Sequence, residues 1–254
     1  MSSTELLRPQ IDRAVRRFAI AWRNRQRRVI TPVAVLDHRA TGYRFQYLEG
    51  VGESVEGFRP FIGFPDLERV YESDRLWPFF DLRVMDRKRP DFPQYVRWLG
   101  LTAEAPRLDI LSRSGGEQKG DTVYLAEAPA VADDGATEAV FLARGASYAV
   151  QQYGTEATAN SLRAGDDLVL VDDETNEANT KALLLETPEG AAVGWMPDLL
   201  IDYARQVRAG GGDVRLLQNN GRLAPWHARL LVRISGRITP GTAIFTGGVW
   251  PSLE

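Results

Sequence analysis

The sequence predicts an α+β protein, in which an N-terminal antiparallel sheet with helices precedes a small β-barrel of the SH3 or OB kind with an inserted helix. Apolar and polar side chains alternate in short segments such as Tyr43-Arg-Phe45-Gln-Tyr47, which is the period of a half-buried strand. Turn residues separate these segments throughout the chain. In the C-terminal half, one long segment, 197–208, places its apolar side chains on one helix face.

The first half reads as a three-stranded meander followed by a helical part. An aromatic loop with Phe58, Phe61 and Phe64 is too rich in glycine and proline for a helix, and we expect it to pack over the sheet. Ser73 and Asp74 are residue types that cap helices. Strands are expected at 18–22, 29–36, 43–47 and 121–125, and helices at 73–85, 91–100 and 108–111.

The second half reads as many short strands with one helix inserted. Pro197 is placed to open that helix, and three consecutive glycines end it at 210–212. A turn at Asn219-Asn-Gly221 predicts a final hairpin. Strands are expected at 139–144, 167–171, 182–185, around Val193, at 214–217 and at 228–234, with a helical piece at 157–162.

Composition excludes several classes of protein. The 254 residues, 44% of them hydrophobic, are enough for one large core or two ordinary ones, and the length favours two. The absence of cysteine excludes disulfides, thiolate-bound zinc, iron–sulfur clusters and a cysteine nucleophile. No run approaches the roughly 18 apolar residues of a membrane span, and no secretory signal is visible. We therefore expect a cytoplasmic protein that does not enter a membrane.

The segment 126–137 consists mostly of small and acidic residues and contains Pro129 and Gly135. This composition predicts a linker between two domains. Proteases should then cut there first. The resulting division is a basic tail at 1–17, an α+β domain at 18–125, the linker, a β-barrel domain at 138–238 and a C-terminal tail at 239–254.

The net charge of −3 conceals a segregated distribution. Segment 8–44 has ten arginines against two aspartates, and segment 205–237 has seven arginines against one. Between them, 156–202 has eleven acids against two basic residues. The basic blocks are where a phosphate backbone would dock. The alternative is a general preference for arginine, since only three residues are lysines.

No catalytic constellation emerges, so we expect a protein that is not an enzyme and needs no cofactor or metal. The phosphate-binding loop with Gly-Lys-Ser/Thr is missing. Two histidines, His38 and His227, do not form a metal motif. The run Asp172-Asp-Glu174 has ligands for a hard cation, but a solvated loop is the favoured interpretation.

The segment 168–197 carries the most specific pattern in the chain. The apolar run Leu168-Val-Leu-Val ends at an acidic loop with Asn176 and Asn179, and a second apolar run leads to Val193-Gly-Trp-Met-Pro197. This order and spacing resemble the HIRAN domain. Known members include modules that hold DNA ends at the front of chromatin-remodelling helicases. The resemblance thus implies a DNA-binding barrel, here without a helicase.

The resemblance also implies which side chains contact DNA. Tyr148 matches a tyrosine at the family's DNA-end pocket, and Asn179 matches an aspartate that bonds the 3′ hydroxyl. The family's second stacking tyrosine is Ala178 here, so Trp195 is the ring that would replace it, with a core position as the alternative. The remaining candidates are basic side chains for phosphate, namely Lys181, Arg229 and Arg233.

The first half resembles the N-terminal domain of the HipA family of toxin kinases. The resemblance lies in Phe45-Gln-Tyr47, in Phe79-Phe-Asp-Leu82 and in Tyr95-Val-Arg-Trp-Leu99. The kinase body that follows in that family is missing here.

Two functions remain in view. The first is non-catalytic binding of single-stranded DNA or DNA ends. The alternative is a protein-interaction or regulatory module of a toxin–antitoxin-like or defence system, in which the aromatic loop of the N-terminal domain contacts a protein partner. A positive groove beside Tyr148 would favour the first, and an exposed aromatic patch around Phe61 would favour the second.

Overall fold

The computed structural model describes residues 15–118 and 120–253 and has a mixed α+β fold with two antiparallel sheets, as the sequence predicts. Most of the predicted basic tail lies outside the described residues. The strands are β1 Val15–Arg23, β2 Ile30–Arg39, β3 Gly42–Tyr47, β4 Tyr71–Ser73, β5 Val123–Glu127, β6 Ala136–Leu142, β7 Asp167–Asp172, β8 Leu183–Glu186, β9 Ala192–Trp195, β10 Asp213–Asn219 and β11 Leu230–Arg237. The helices are α1 Val51–Ser54, α2 Pro78–Asp81, α3 Phe92–Trp98, α4 Arg107–Ser114, α5 Ala146–Tyr153, α6 Glu156–Ser161 and α7 Ile201–Ala209.

The first sheet has the strand order β4-β3-β2-β1-β5, and the predicted meander is confirmed. Phe18, Leu36 and Phe45 lie opposite one another on three neighbouring strands and are fully buried. They form one core with side chains of α3 and α4. Burying each such side chain stabilises the fold by about 1.5–3 kcal/mol.

In the first unit one helix differs from expectation, whereas the aromatic loop packs over the sheet as expected. The helix predicted over 73–85 is wrong, because Ser73 ends β4 and the helix is the single turn α2. Pro78 has no N–H and restricts the residue before it, so a helix begins at Pro78 but does not run through it. In the aromatic loop, Phe61 and Phe64 are core residues, and the ring of Phe64 lies 4.1 Å from that of Phe45 between centroids.

The second sheet has the strand order β6-β11-β10-β7-β8-β9 and curls into a half-barrel. The predicted hairpin is confirmed as β10 and β11, although a 3₁₀ turn, Trp226–Ala228, lengthens its connection. A second 3₁₀ turn, Asp198–Leu200, leads from Pro197 into α7. Tyr203 and Val207 of α7 are buried in the core of this sheet.

The segment predicted to be a linker is packed. Strands enter it from both ends, since β5 continues to Glu127 and β6 starts at Ala136. Pro129 and Gly135 are buried. A Cβ on Gly135 would lie 2.3 Å from the carbonyl oxygen of Ile238, so this small residue permits a close backbone approach. The two ends of the segment are thus packed or paired in the sheets, whereas Asp133 and Asp134 form an exposed turn.

The segment predicted to be a C-terminal tail is also packed. Phe245 is buried in the core of the second sheet. Arg17 of β1 donates to the backbone carbonyl oxygens of Phe245 and Ser252, both at 3.0 Å, and to that of Pro251. The same guanidinium forms a bidentate ion pair with Asp37 at 2.7 and 2.8 Å. One arginine therefore fixes the chain's last described residues onto the first sheet.

The two units exchange core residues. Ala19 and Ala126 of the first sheet belong to the core of the second. Leu142 and Leu231 of the second sheet belong to the core of the first. The amide of Asn220 also donates to the carbonyl oxygen of Trp98 at 2.8 Å. The sheets are thus joined by packing as well as by the chain.

Replacing Arg17 should destabilise the fold strongly. Arg17→Ala leaves the buried carboxylate of Asp37 without a partner, and we expect a loss of about 3–5 kcal/mol in the free energy of unfolding. The exposed Arg75→Ala should change it by less than about 0.5 kcal/mol. Denaturant unfolding of both variants measures the difference. Equal losses would contradict a structural role for Arg17.

Limited proteolysis tests whether the segment predicted to be a linker is protected from cleavage. The structure predicts that a protease of broad specificity cuts first in the exposed turn at 25–29, and only later at 128–135. Mass spectrometry of the early fragments identifies the site. Early release of two stable halves cut within 128–135 would restore the linker interpretation.

Candidate nucleic-acid interface

Tyr148 stands out on α5 because its side chain is 65% exposed. The helix starts after Gly145 and buries Ala149 and Val150 against the second unit. The ring of Tyr148 lies 5.9 Å from that of Trp195 between centroids, with the two planes tilted by 33°. One face of this ring thus has an aromatic neighbour, and much of its surface is open to a ligand.

Trp195 is a buried side chain that backs Tyr148. Its Nε1 donates to a carboxylate oxygen of Asp173 at 2.8 Å. Gly145 packs on the indole so closely that a Cβ there would lie 2.8 Å from a ring carbon. The ring is therefore fixed inside the protein. Because only 8% of Trp195 is exposed, it does not replace the missing loop tyrosine as a surface for stacking.

Asp173 anchors the loop between β7 and β8. It accepts hydrogen bonds from Trp195 and from the hydroxyl of Thr175, the latter at 2.8 Å, and the amide of Asn176 lies at 3.4 Å. Burial opposes the charge of Asp173, but these hydrogen bonds outweigh burial and hold its pKa below the ordinary value. A charged Asp173 thus links the indole to the loop.

The two asparagines shape the same loop. The side-chain oxygen of Asn176 accepts from the backbone N–H groups of Ala178 and Asn179, both at 3.1 Å. The side-chain oxygen of Asn179 accepts from the N–H of Lys181 at 3.0 Å, while its amide nitrogen donates to Asp198. Asn179 is thus a structural residue whose oxygen and nitrogen both have protein partners. Lys181 is exposed at the edge of the loop.

The acidic run at the start of the loop serves internal contacts. Asp172 pairs with Arg205 and with Arg208, the latter at 2.8 Å. In the described ranges, no group of three or more histidine, cysteine, aspartate or glutamate side chains is placed to hold a metal ion. Two carboxylates of the run, Asp172 and Asp173, thus have partners within the protein.

The surroundings of Tyr148 carry both signs of charge. The side of Tyr153 is acidic. Burial raises the pKa of the Tyr153 hydroxyl most, and the negative charges of Asp173 and Glu186 raise it further. On the other side, Arg144 exchanges two backbone hydrogen bonds of 2.8 Å with Trp195. The guanidinium of Arg144 pairs with Glu117, so the arginine nearest to Trp195 in the sheet already has a carboxylate partner.

The two arginines predicted from the last basic block lie elsewhere. Arg229 is buried, with its guanidinium 3.6 Å from the ring centre of Trp226 and donating to the carbonyl oxygen of Ala224 at 3.0 Å. Burial lowers its pKa. Arg229 is thus a core residue with little surface for phosphate. Arg233 is half-buried in a cleft of about 900 Å³ between α4 and β6.

No protein-family model matches this chain, and no curated protein matches it either.

Sequence patterns missed three residues that the fold brings to this region. Arg144 follows β6, Arg23 ends β1, and Asp198 begins the 3₁₀ turn before α7. All three line a cavity beside Gly145. Burial raises the pKa of Asp198. They come from both units, so no local spacing could have grouped them.

No helix in the described part of the chain is both long and apolar enough to cross a bilayer.

The loop geometry predicts a stability effect at Asn176. Asn176→Ala removes the acceptor of two backbone N–H groups, so the free energy of unfolding should fall by about 1 kcal/mol or more. Glu177→Ala, an exposed neighbour, is the matched control. Thermal and denaturant unfolding measure both. An unchanged midpoint for Asn176→Ala would mean that water replaces these hydrogen bonds without cost.

Proposed function

We propose that this protein binds single-stranded DNA or DNA ends, without catalysis, at the surface around Tyr148. The observation that carries the proposal is the exposed ring of Tyr148, backed by the fixed indole of Trp195. Base stacking needs an accessible aromatic face close to positive charge. A ring with a rigid support loses little freedom when a base stacks on it.

The resemblance to the HIRAN domain supports the same surface, because Tyr148 matches the tyrosine of that family's end pocket. We extend the proposal to the fold: the curled second sheet is a small HIRAN-like barrel, and the first unit is a HipA N-terminal-like domain. The match of Tyr148 to that family's tyrosine is the reason for proposing DNA as the ligand.

Two departures from the family predict weaker end recognition. Asn179 is already bonded to Lys181 and Asp198, so it is poorly placed to receive a 3′ hydroxyl. Ala178 supplies no ring. We therefore expect stacking on Tyr148 with little discrimination between 3′ ends. The negative charges of Asp173 and Glu186 act on the side of Tyr153, so we expect the phosphates of a bound strand on the other side of Tyr148.

The protein-interaction alternative has less support. It depended on an exposed aromatic loop, whereas Phe61 and Phe64 are 7% and 0% exposed and serve the core. The exposed apolar side chain left at the tip of that loop is Ile62. A single residue of this kind is ordinary on a protein surface. DNA binding is the better supported of the two functions.

Affinity for single-stranded DNA should depend on the ring at position 148. Tyr148→Ala should lose about 1–3 kcal/mol of stacking, which is roughly a fivefold to more than hundredfold rise in Kd. Tyr148→Phe keeps the ring and should bind like the unaltered protein. Fluorescence anisotropy with labelled single strands and blunt duplexes, over a salt series, measures both variants.

The salt dependence separates stacking from phosphate contacts. Affinity should fall with salt by about 0.7 log units per phosphate contact per decade of salt, and Tyr148→Ala should leave that slope unchanged. If the folded protein binds neither single-stranded nor duplex DNA at low salt, the proposal fails and the protein-interaction alternative takes its place.

A further inference from the structure

A cavity of about 230 Å³ lies between the two units, beside the surface that carries Tyr148. The first unit contributes the end of β1 and part of β5. The second contributes the residues after β6, the turn after Pro197 and His227. This volume is well above what a single water molecule needs, so it fits a small ion with some water. Its polar and charged lining includes Arg23, Glu117, Tyr124, Arg144, Asp198 and His227.

The two arginines of the cavity are not neutralised equally. Arg23 donates to the hydroxyl of Tyr124 over 3.4 Å, a long hydrogen bond, and makes no direct ion pair within the described residues, although its charge acts on Asp198. Arg144 pairs with Glu117, whose side chain is 38% exposed. Gly115 makes room for this guanidinium, since a Cβ there would lie 2.4 Å from Nη2 of Arg144. The arginines therefore retain donors for a further acceptor.

Asp198 is the carboxyl that would oppose an anion here. Burial raises its pKa, although the amide of Asn179 and the charges of Arg144 and Arg23 act in the opposite direction. Asp198 is thus the group in the cavity that opposes an anion, and the two arginines act on it from the same cavity.

The start of α5 adds a partial positive charge. Gly145 lines the cavity, and α5 follows it with no side chain capping the N–H groups of its first turn. The N-terminus of a helix favours anions through these groups and the helix dipole. Two arginines, a histidine and the residue before a helix N-terminus therefore line one small cavity, together with the carboxyl groups of Glu117 and Asp198.

We infer that this cavity binds a phosphate group. Planar guanidinium forks suit phosphate oxygens. The backbone pairing of Arg144 with Trp195 places the cavity directly next to the support of Tyr148. A phosphate at the end of a bound strand is one source, which depends on the proposed DNA binding, and a free phosphate ion is the other.

Inorganic phosphate is the first probe, titrated calorimetrically at low ionic strength into the full-length protein. Arg23→Gln and Arg144→Gln should each weaken binding about tenfold or more, because each removes charge-assisted hydrogen bonds. Asp198→Asn should bind at least as tightly as the unaltered protein, since it removes the opposing charge. Arg75→Gln, an exposed arginine of the first unit, is the matched control and should not change binding.

A second set of titrations identifies the source of the phosphate. Oligonucleotides of one sequence with a 5′ phosphate, a 3′ phosphate or only hydroxyl ends are compared. Preference for one phosphorylated end, lost in Arg23→Gln and Arg144→Gln, assigns the cavity to a strand end. Binding of inorganic phosphate without any binding of oligonucleotides assigns it to the free ion and ends the DNA proposal.

The inference fails if phosphate does not bind, or if it binds the two arginine variants as well as the unaltered protein. Variants are compared only after circular dichroism shows that they are folded, and Asp198→Asn supplies an independent check in the opposite direction. Tyr148-dependent binding of hydroxyl-ended oligonucleotides would still support the DNA proposal in that case.

Discussion

The arrangement of the two sheets depends on the guanidinium of Arg17. It makes five hydrogen bonds, two to Asp37 and three to backbone carbonyl oxygens of the last described residues, which uses all its donors. Arg17 and Asp37 are 3% and 2% exposed, so the cost of burying two charges is offset only because every donor is satisfied. This clamp and the exchanged core residues fix one unit against the other. The cavity beside Tyr148, lined by both units, exists only in that fixed arrangement.

A second buried charge organises the candidate binding surface. Asp173 holds the indole of Trp195 and the start of the β7–β8 loop, and the indole in turn supports the exposed ring of Tyr148. Each of these contacts is buried or closely packed: a buried carboxylate, a buried ring and a helix that begins after a close-packed glycine. A surface that is already ordered in the free protein loses little conformational entropy on binding. The polar loop that resembles a recognition motif is thus mainly a support, and the open ring on α5 is the part left for a ligand.

Local patterns predicted the elements whose cause is local. The alternation at Tyr43–Tyr47 gives β3, Gly100 and Gly115 follow the ends of α3 and α4, and Asn176 shapes its turn through neighbouring N–H groups. Predictions failed where partners are distant in sequence. Arg17 binds a carbonyl 228 residues away, and Asn179 binds a carboxylate 19 residues away. A count of charges could not distinguish the buried Arg229 from an exposed arginine. The prediction of a helix starting at Ser73 was wrong because Ser73 is part of β4 and pairs with β3.

Hydrogen–deuterium exchange with and without single-stranded DNA tests the central claim most directly, because it reports on every segment of the chain at once. The account predicts that DNA slows exchange in α5 and in the β7–β8 loop, and in the segment that contains Arg144, while the aromatic loop around Phe61 stays unchanged. Under conditions where binding is measured independently, protection confined to other parts of the protein would contradict it.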